Sequence, residues 1–270
     1  MKKQWMICLL LSMALLLLFA FTLHYQLMIL YMIAICSSFV GTLAGGGGLV
    51  TLPAMMLTGI PIQTSIATNK FSSGVAAFSS VYYLLRQKQL NMKRMIQTVF
   101  IAFLGGMGGA CVTTHLSDKT MNITAIILLI IALVVTVNNT GWIGTAQSYE
   151  SETKNRLTPF LLLSIAAYDG GFGPGSSTFS ILYYMNKQQT YVKAVQLTRV
   201  LIFGSCTGAF IIFHQTGYLQ WPYAIVMAVG SIIGSQLGLV VLPKVSLKVA
   251  KSLLLTITCL LIIQMMSKIF

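Results

Sequence analysis

Of the chain's 270 residues, 56% are hydrophobic and only 8% are charged, where a soluble domain carries about 25% charged residues. Apolar runs long enough for the roughly 20 residues of a membrane crossing recur throughout, which leaves no room for a sizeable soluble domain and points to an all-α, polytopic membrane protein. Seventeen Lys and Arg against four Asp and Glu give a net charge of +13; most basic residues sit in short connections between apolar runs, where they orient helices, so lipid bilayer and not nucleic acid is the expected partner.

The chain opens with Lys2 and Lys3 before an apolar run that ends near Leu23. No small-x-small cleavage site follows, and the run is long enough to span. Residues 1–26 are therefore predicted as an uncleaved N-terminal transmembrane helix with the N-terminus inside. The next apolar run, roughly 27–58, is broken at its middle by Gly45, Gly46, Gly47 and Gly48 in "GTLAGGGGLVTLP". Plainer runs follow at roughly 66–86, 95–115 and 121–138, completing a unit over 27–140. After a connecting loop at 141–156 the pattern returns over 157–270. A glycine-broken run at 157–185 contains "YDGGFGPGSSTFS", and plain runs follow at 192–214, 222–243 and 248–268.

The two units align without a gap. Gly41 pairs with Gly170, Gly46 with Gly175, Lys70 with Arg199, Leu90 with Leu219, Gly105 with Gly234 and Gly109 with Gly238, all at one step of 129 residues. Internal repeats of this kind mark transporter folds. The basic residues suggest how the halves face. Arg86, Lys88, Lys93 and Arg94 follow the 66–86 run, whereas the equivalent second-half connection "QTGYLQWPY" has none. Lys187 and Lys193 flank the start of the 192–214 run, and Lys244, Lys248 and Lys251 flank the start of the last one. Inverted halves put these nine on one side and Lys119 alone on the other, while parallel halves split the ten almost evenly. The positive-inside rule favours inversion, which needs an odd number of crossings per half. Three plain helices supply it if the broken segment enters and leaves on the same face as a re-entrant hairpin.

Non-helical backbone at membrane depth is tolerated only inside protein or beside a water-filled cavity. Two half-helices meeting at a glycine tip leave free N–H groups and a partial positive charge at the start of the second, an arrangement that attracts anions. Gly173, Pro174 and Gly175 repeat the device, with Ser176, Ser177 and Thr178 placed to cap the outgoing helix or donate to an oxyanion. Close helix packing is the alternative use of small residues. It suits Gly105 and Gly109, and Gly230, Gly234 and Gly238, at four-residue spacing; it suits Gly45–Gly48 less, because consecutive glycines remove a helical face.

Lys70 and Arg199 lie within apolar runs, where an ionisable residue is a functional-site hypothesis by default. Snorkelling to the interface is the plain alternative; repeat-related placement favours a shared central site. Thr68, Asn69, Gln196 and Thr198 could add hydrogen bonds there. Asp169 breaks the symmetry, its counterpart being Val40, and either neutralises Arg199 or Lys70 or carries a coupling proton. The five cysteines show no C-x-x-C spacing and the three histidines no metal-ligand spacing, so neither a metal nor a cofactor is expected. No residue set reads as catalytic, so the chain is not expected to be an enzyme, and no P-loop supplies ATP coupling.

The ordered set "GTLAGGGGLVTLPAMMLTGIPIQTSIATNKFSSG", "GGFGPGSSTF" and "AVQLTR" resembles the TauE/SafE sulfite-exporter family across nearly the whole chain after the first helix. The resemblance implies movement of a small sulfur-containing anion, such as sulfite or an organosulfonate, across the cytoplasmic membrane. It maps Gly45–Gly48, Thr68, Asn69, Lys70 and the Gly170–Thr178 stretch onto the family's characteristic positions; the second tip, "GPGSS", departs from a full glycine cluster. The expected function is thus a secondary anion transporter, exporting by alternating access around a central cationic site. Uptake, or passive passage of an anion such as thiosulfate, is the alternative, and a homo-oligomer stays open.

Overall fold

A computed structural model describes residues 25–117 except 46 and 89, residues 158–246, and isolated positions between 120 and 134 and between 249 and 259. The first predicted helix, up to residue 24, the connecting loop and most of the runs 121–138 and 248–268 lie outside the described residues. Within them every regular element is helical: α1 (Tyr25–Ala44), α2 (Gly47–Leu57), α3 (Ile62–Arg86), α4 (Met92–Thr114), α5 (Thr158–Gly171), α6 (Ser176–Asn186), α7 (Tyr191–Gln215) and α8 (Trp221–Val241), the last followed by a 3-10 turn at Leu242–Lys244. Helices α1, α4, α7 and α8 are long and apolar enough to cross a membrane. Helix α3 is long enough at 25 residues but rich in Ser, Thr and Asn, and it lies mostly buried among the others.

The internal duplication is present in the helix bounds. Both bounds of α2 and of α3 recur at α6 and α7 after 129 residues, and the start of α4 recurs at the start of α8. Packing partners exchange in the same way. Helix α4 packs on α5 and α7, α8 packs on α1 and α3, and α3 meets α7 between the halves. Glycine makes these approaches possible. A Cβ on Gly105 would stand 2.7 Å from the carbonyl oxygen of Leu163, and one on Gly230 would stand 2.8 Å from that of Tyr31. Gly109 lies closer still to Ala167, and Gly234 to Ile35. The four-residue glycine patterns are packing faces. On the outer side of α4, Met92, Ile96, Phe100 and Leu104 form an exposed apolar stripe one turn apart, suited to lipid.

The broken segments fold back on themselves. Gln26 Nε2 donates to the carbonyl of Thr58 at 3.4 Å, and the Tyr223 hydroxyl donates to Gln26 Oε1 at 3.4 Å. The start of α1, the end of α2 and the start of α8 therefore share one face. On the other face Asn91, Arg94, Pro159, Lys187 and Lys193 line a single cavity, which gathers the starts of α4, α5 and α7 with the end of α6. Helix α3, about 37 Å long at 1.5 Å per residue, runs from the first group to the second. Capping fixes two of these starts: Asn91 accepts from Lys93 N at 3.1 Å, and Thr190 accepts from Lys193 N at 3.4 Å.

Candidate functional site

In the first half the reversal is made at Gly45, whose φ of +83° is a left-handed conformation that costs glycine little. Its amide donates to Gly41 O at 3.0 Å, and α2 turns back so closely that a Cβ on Gly47 would lie 3.3 Å from Ser37 O. The hydroxyl of Tyr191 on α7 donates to the carbonyl of Leu43, satisfying one of the carbonyls that α1 leaves free at its end. In the second half Gly173 and Gly175 take φ of +93° and +79° around Pro174, and the Tyr168 hydroxyl donates to the Pro174 carbonyl.

The two tips touch. A Cβ on Gly45 would lie 3.1 Å from Thr178 N, and one on Gly48 would lie 3.5 Å from Gly173 O. The first turns of α2 and α6 thus stand side by side with their partially positive ends together.

Between them lies a cavity of about 40 Å³, room for roughly three waters at 10–15 Å³ each or one compact oxyanion. Lys70 from α3, Asp169 from α5 and Arg199 from α7 all line it, and all are buried at 6% exposure or less. Lys70 Nζ donates to the main-chain carbonyl of Asp169 and stands 3.7 Å from its Oδ1. Asp169 is saturated further: Oδ1 accepts from Ser176 Oγ at 2.5 Å, and Oδ2 accepts from Ser205 Oγ and from Cys206 Sγ at 3.6 Å. Arg199 differs. Its Nε is buried with no hydrogen-bond partner, and the ion pair found among the described residues belongs to Lys70 and Asp169. Two cations and one carboxylate leave one positive charge over.

Of the residues singled out from the sequence, the cavity is lined by Gly47, Gly48, Asn69, Lys70, Asp169, Gly173, Ser176, Ser177 and Arg199. Gly46 lies outside the described residues. Gly45 and Gly175 shape the tips without facing the cavity. Thr198 is drawn away by a 3.0 Å bond to Ser180 Oγ, the Thr68 hydroxyl is buried without a partner, and Gln196 is buried elsewhere on α7. The structure adds Ser37, Ser38, Thr51, Ser73, Cys206 and Ser231 to the lining. Their signal was present as hydroxyls and one thiol inside apolar runs, but so many such residues bridge helices that none stood out. Among the described residues no three His, Cys, Asp or Glu side chains group closely enough to hold a metal.

Comparison with known proteins agrees in extent with this architecture. The family described as sulfite exporter TauE/SafE matches residues 29–265. The "Probable membrane transporter protein ORF9" of Sinorhizobium sp is 30% identical over 251 residues, covering 90% of this chain and 93% of that protein. The "Probable membrane transporter protein" of Haemophilus influenzae is 29% identical over 78% of this chain and 83% of its own. The "Probable membrane transporter protein YfcA" of Escherichia coli strain K12 is 27% identical over 78% of each. No solved structure matches. With the family's match running from α1 past α8 and through both tips, the chain belongs to the sulfite exporter TauE/SafE family.

Proposed function

We propose that this chain is a secondary transporter that moves a small sulfur-containing anion, of the sulfite or sulfonate type, out across the cytoplasmic membrane. One observation carries the reading: the Arg199 guanidinium is buried, has an unpartnered Nε, and lines a cavity where two helix starts converge. A buried cation with an unsatisfied donor and no carboxylate paired to it among the described residues is strongly unfavourable, and an anion in that cavity supplies what the site lacks. Lys70, held to Asp169, adds positive field from the opposite half. Gly47 and Gly48 let backbone amides approach the anion, and Ser177 and Asn69 offer hydrogen bonds at its edge.

Transport follows from the repeat. The broken segments are re-entrant hairpins entering from opposite faces, the halves are inverted, and they rock about the fixed site to expose it alternately. Supporting this, Arg94, Lys187 and Lys193 share one face, which the positive-inside rule makes cytoplasmic; the N-terminus lies there too. Asp169 acts as the counter-ion of Lys70 in the empty site.

The test is sulfite flux in vesicles carrying wild-type chain, Arg199→Ala or Lys70→Ala, with insertion checked in each. Flux should fall by about 100-fold or more in Arg199→Ala, a loss of the order expected for an unreplaced charge contact. Wild-type flux in both variants removes the site. Dependence on an imposed proton or sodium gradient separates a coupled carrier from a passive channel, and the side from which sulfite is taken up fixes direction.

A further inference from the structure

At the basic face α4, α5, α6 and α7 enclose a second cavity of about 520 Å³, much larger than the central one. Arg94, Lys187 and Lys193 line it, and Leu197 and Val200, on either side of Arg199 along α7, form part of its wall. The repeat has an equivalent place on the opposite face, between α8, α1 and α2 and the turn that leads into α3. There Leu30, Met55, Ile60 and Met227, each exposed by 4% or less, pack with Ile33 and Tyr223 in one apolar cluster.

Six residues of this cluster have their repeat equivalents in the wall of the large cavity. The 129-residue step carries Leu30 to Pro159, Ile33 to Leu162, Met55 to Tyr184 and Ile60 to Gln189; taken backwards it carries Met227 to Thr98 and Tyr223 to Arg94. Every one of those six equivalents lines the large cavity. The same position in the repeat is therefore open and basic on one face, apolar and tightly packed on the other. Two equivalent halves have two equivalent arrangements, and each half here holds the arrangement the other lacks.

We infer that the large cavity is the vestibule that loads a small oxyanion from the basic face, and that the Leu30–Met55–Met227 cluster is the shut gate through which it leaves when the halves exchange arrangements. This rests on the transport reading above. The three cations concentrate anions at the mouth by focusing the field over low-dielectric walls, an effect worth about 10-fold or more in capture. The apolar gate keeps water from bridging the site to the far side.

The test uses full-length chain in inside-out and right-side-out vesicles. In the triple variant Arg94→Gln, Lys187→Gln, Lys193→Gln, the KM for sulfite presented at the basic face should rise about tenfold, with kcat within about twofold and its salt dependence largely lost. Without sulfite, a membrane-impermeant thiol reagent should label Thr98→Cys from the basic face, above the wild-type background, much faster than it labels Met227→Cys from the other face. An unchanged KM, or equal labelling of the two cysteines, overturns the inference. The Arg199→Ala variant, measured alongside, separates the two readings: its flux is lost if the central site stands, whatever the vestibule variants do.

Discussion

The first broken segment reaches its tip through Ala44 and four glycines and carries no charged side chain between Tyr25 and Leu57. The second sets Asp169 at the end of α5, where Ser176, Ser205 and Cys206 all donate to it. At equivalent positions stand Val40 against Asp169, and Gly47 and Gly48 against Ser176 and Ser177. One tip contributes space and bare amides, the other charge and hydroxyls. Repetition fixes where the backbone goes, while binding a single ligand between two related halves needs the halves to differ.

The sharpest way to break that contrast is to give both tips side chains. Gly173→Ala places a methyl 2.5 Å from Lys70 Nζ at a φ of +93°. The strain alone costs about 1–3 kcal/mol, and the displaced lysine should abolish sulfite flux in vesicles. Gly47→Ala meets Ser37 O and Gly41 Cα at 3.3 Å with no positive φ, so its flux should fall less, by about tenfold, for a barrier change of about 1.4 kcal/mol.

A double-mutant cycle with Lys70→Met and Asp169→Asn sharpens the charged side of the comparison. Each single variant leaves one buried charge alone, and each should lower thermal stability more than the pair does together. The coupling should amount to about 1–3 kcal/mol, and strict additivity would show that the two are not partners. Tyr191→Phe should have the smallest effect. It removes the hydroxyl that holds the first tip at Leu43 and should cost about 1 kcal/mol in unfolding measurements, with flux largely kept.

Much of the fold could be read from residues alone. The breaks at Gly45–Gly48 and Gly173–Gly175, the 129-residue step and the cores of α3, α4, α7 and α8 all follow from apolar runs and glycine. Helix α3 begins at Ile62 and not near residue 66, because "IQTS" is too polar to read as membrane helix; it is stabilised by burial against α8 and α7. Glycine spacing announced close packing on α4 and α8 but not its partner, since the exchange that sets α4 on α5 and α8 on α1 is a long-range fact. The same limit applies to the site. Lys70 and Arg199 stand out as charges in apolar runs, yet nothing local says that Asp169 pairs with the first and leaves the second with no ion pair among the described residues.

That inequality between the two cations is most directly tested by thermal stability with and without ligand. Wild-type protein should be stabilised by sulfite, by about 2.7 kcal/mol at a hundred times its Kd. Arg199→Gln, relieved of a buried unpaired charge, should be at least as stable as wild type without sulfite and gain nothing from adding it. An equal sulfite-induced rise in Tm for both proteins would mean that the anion binds somewhere other than at Arg199.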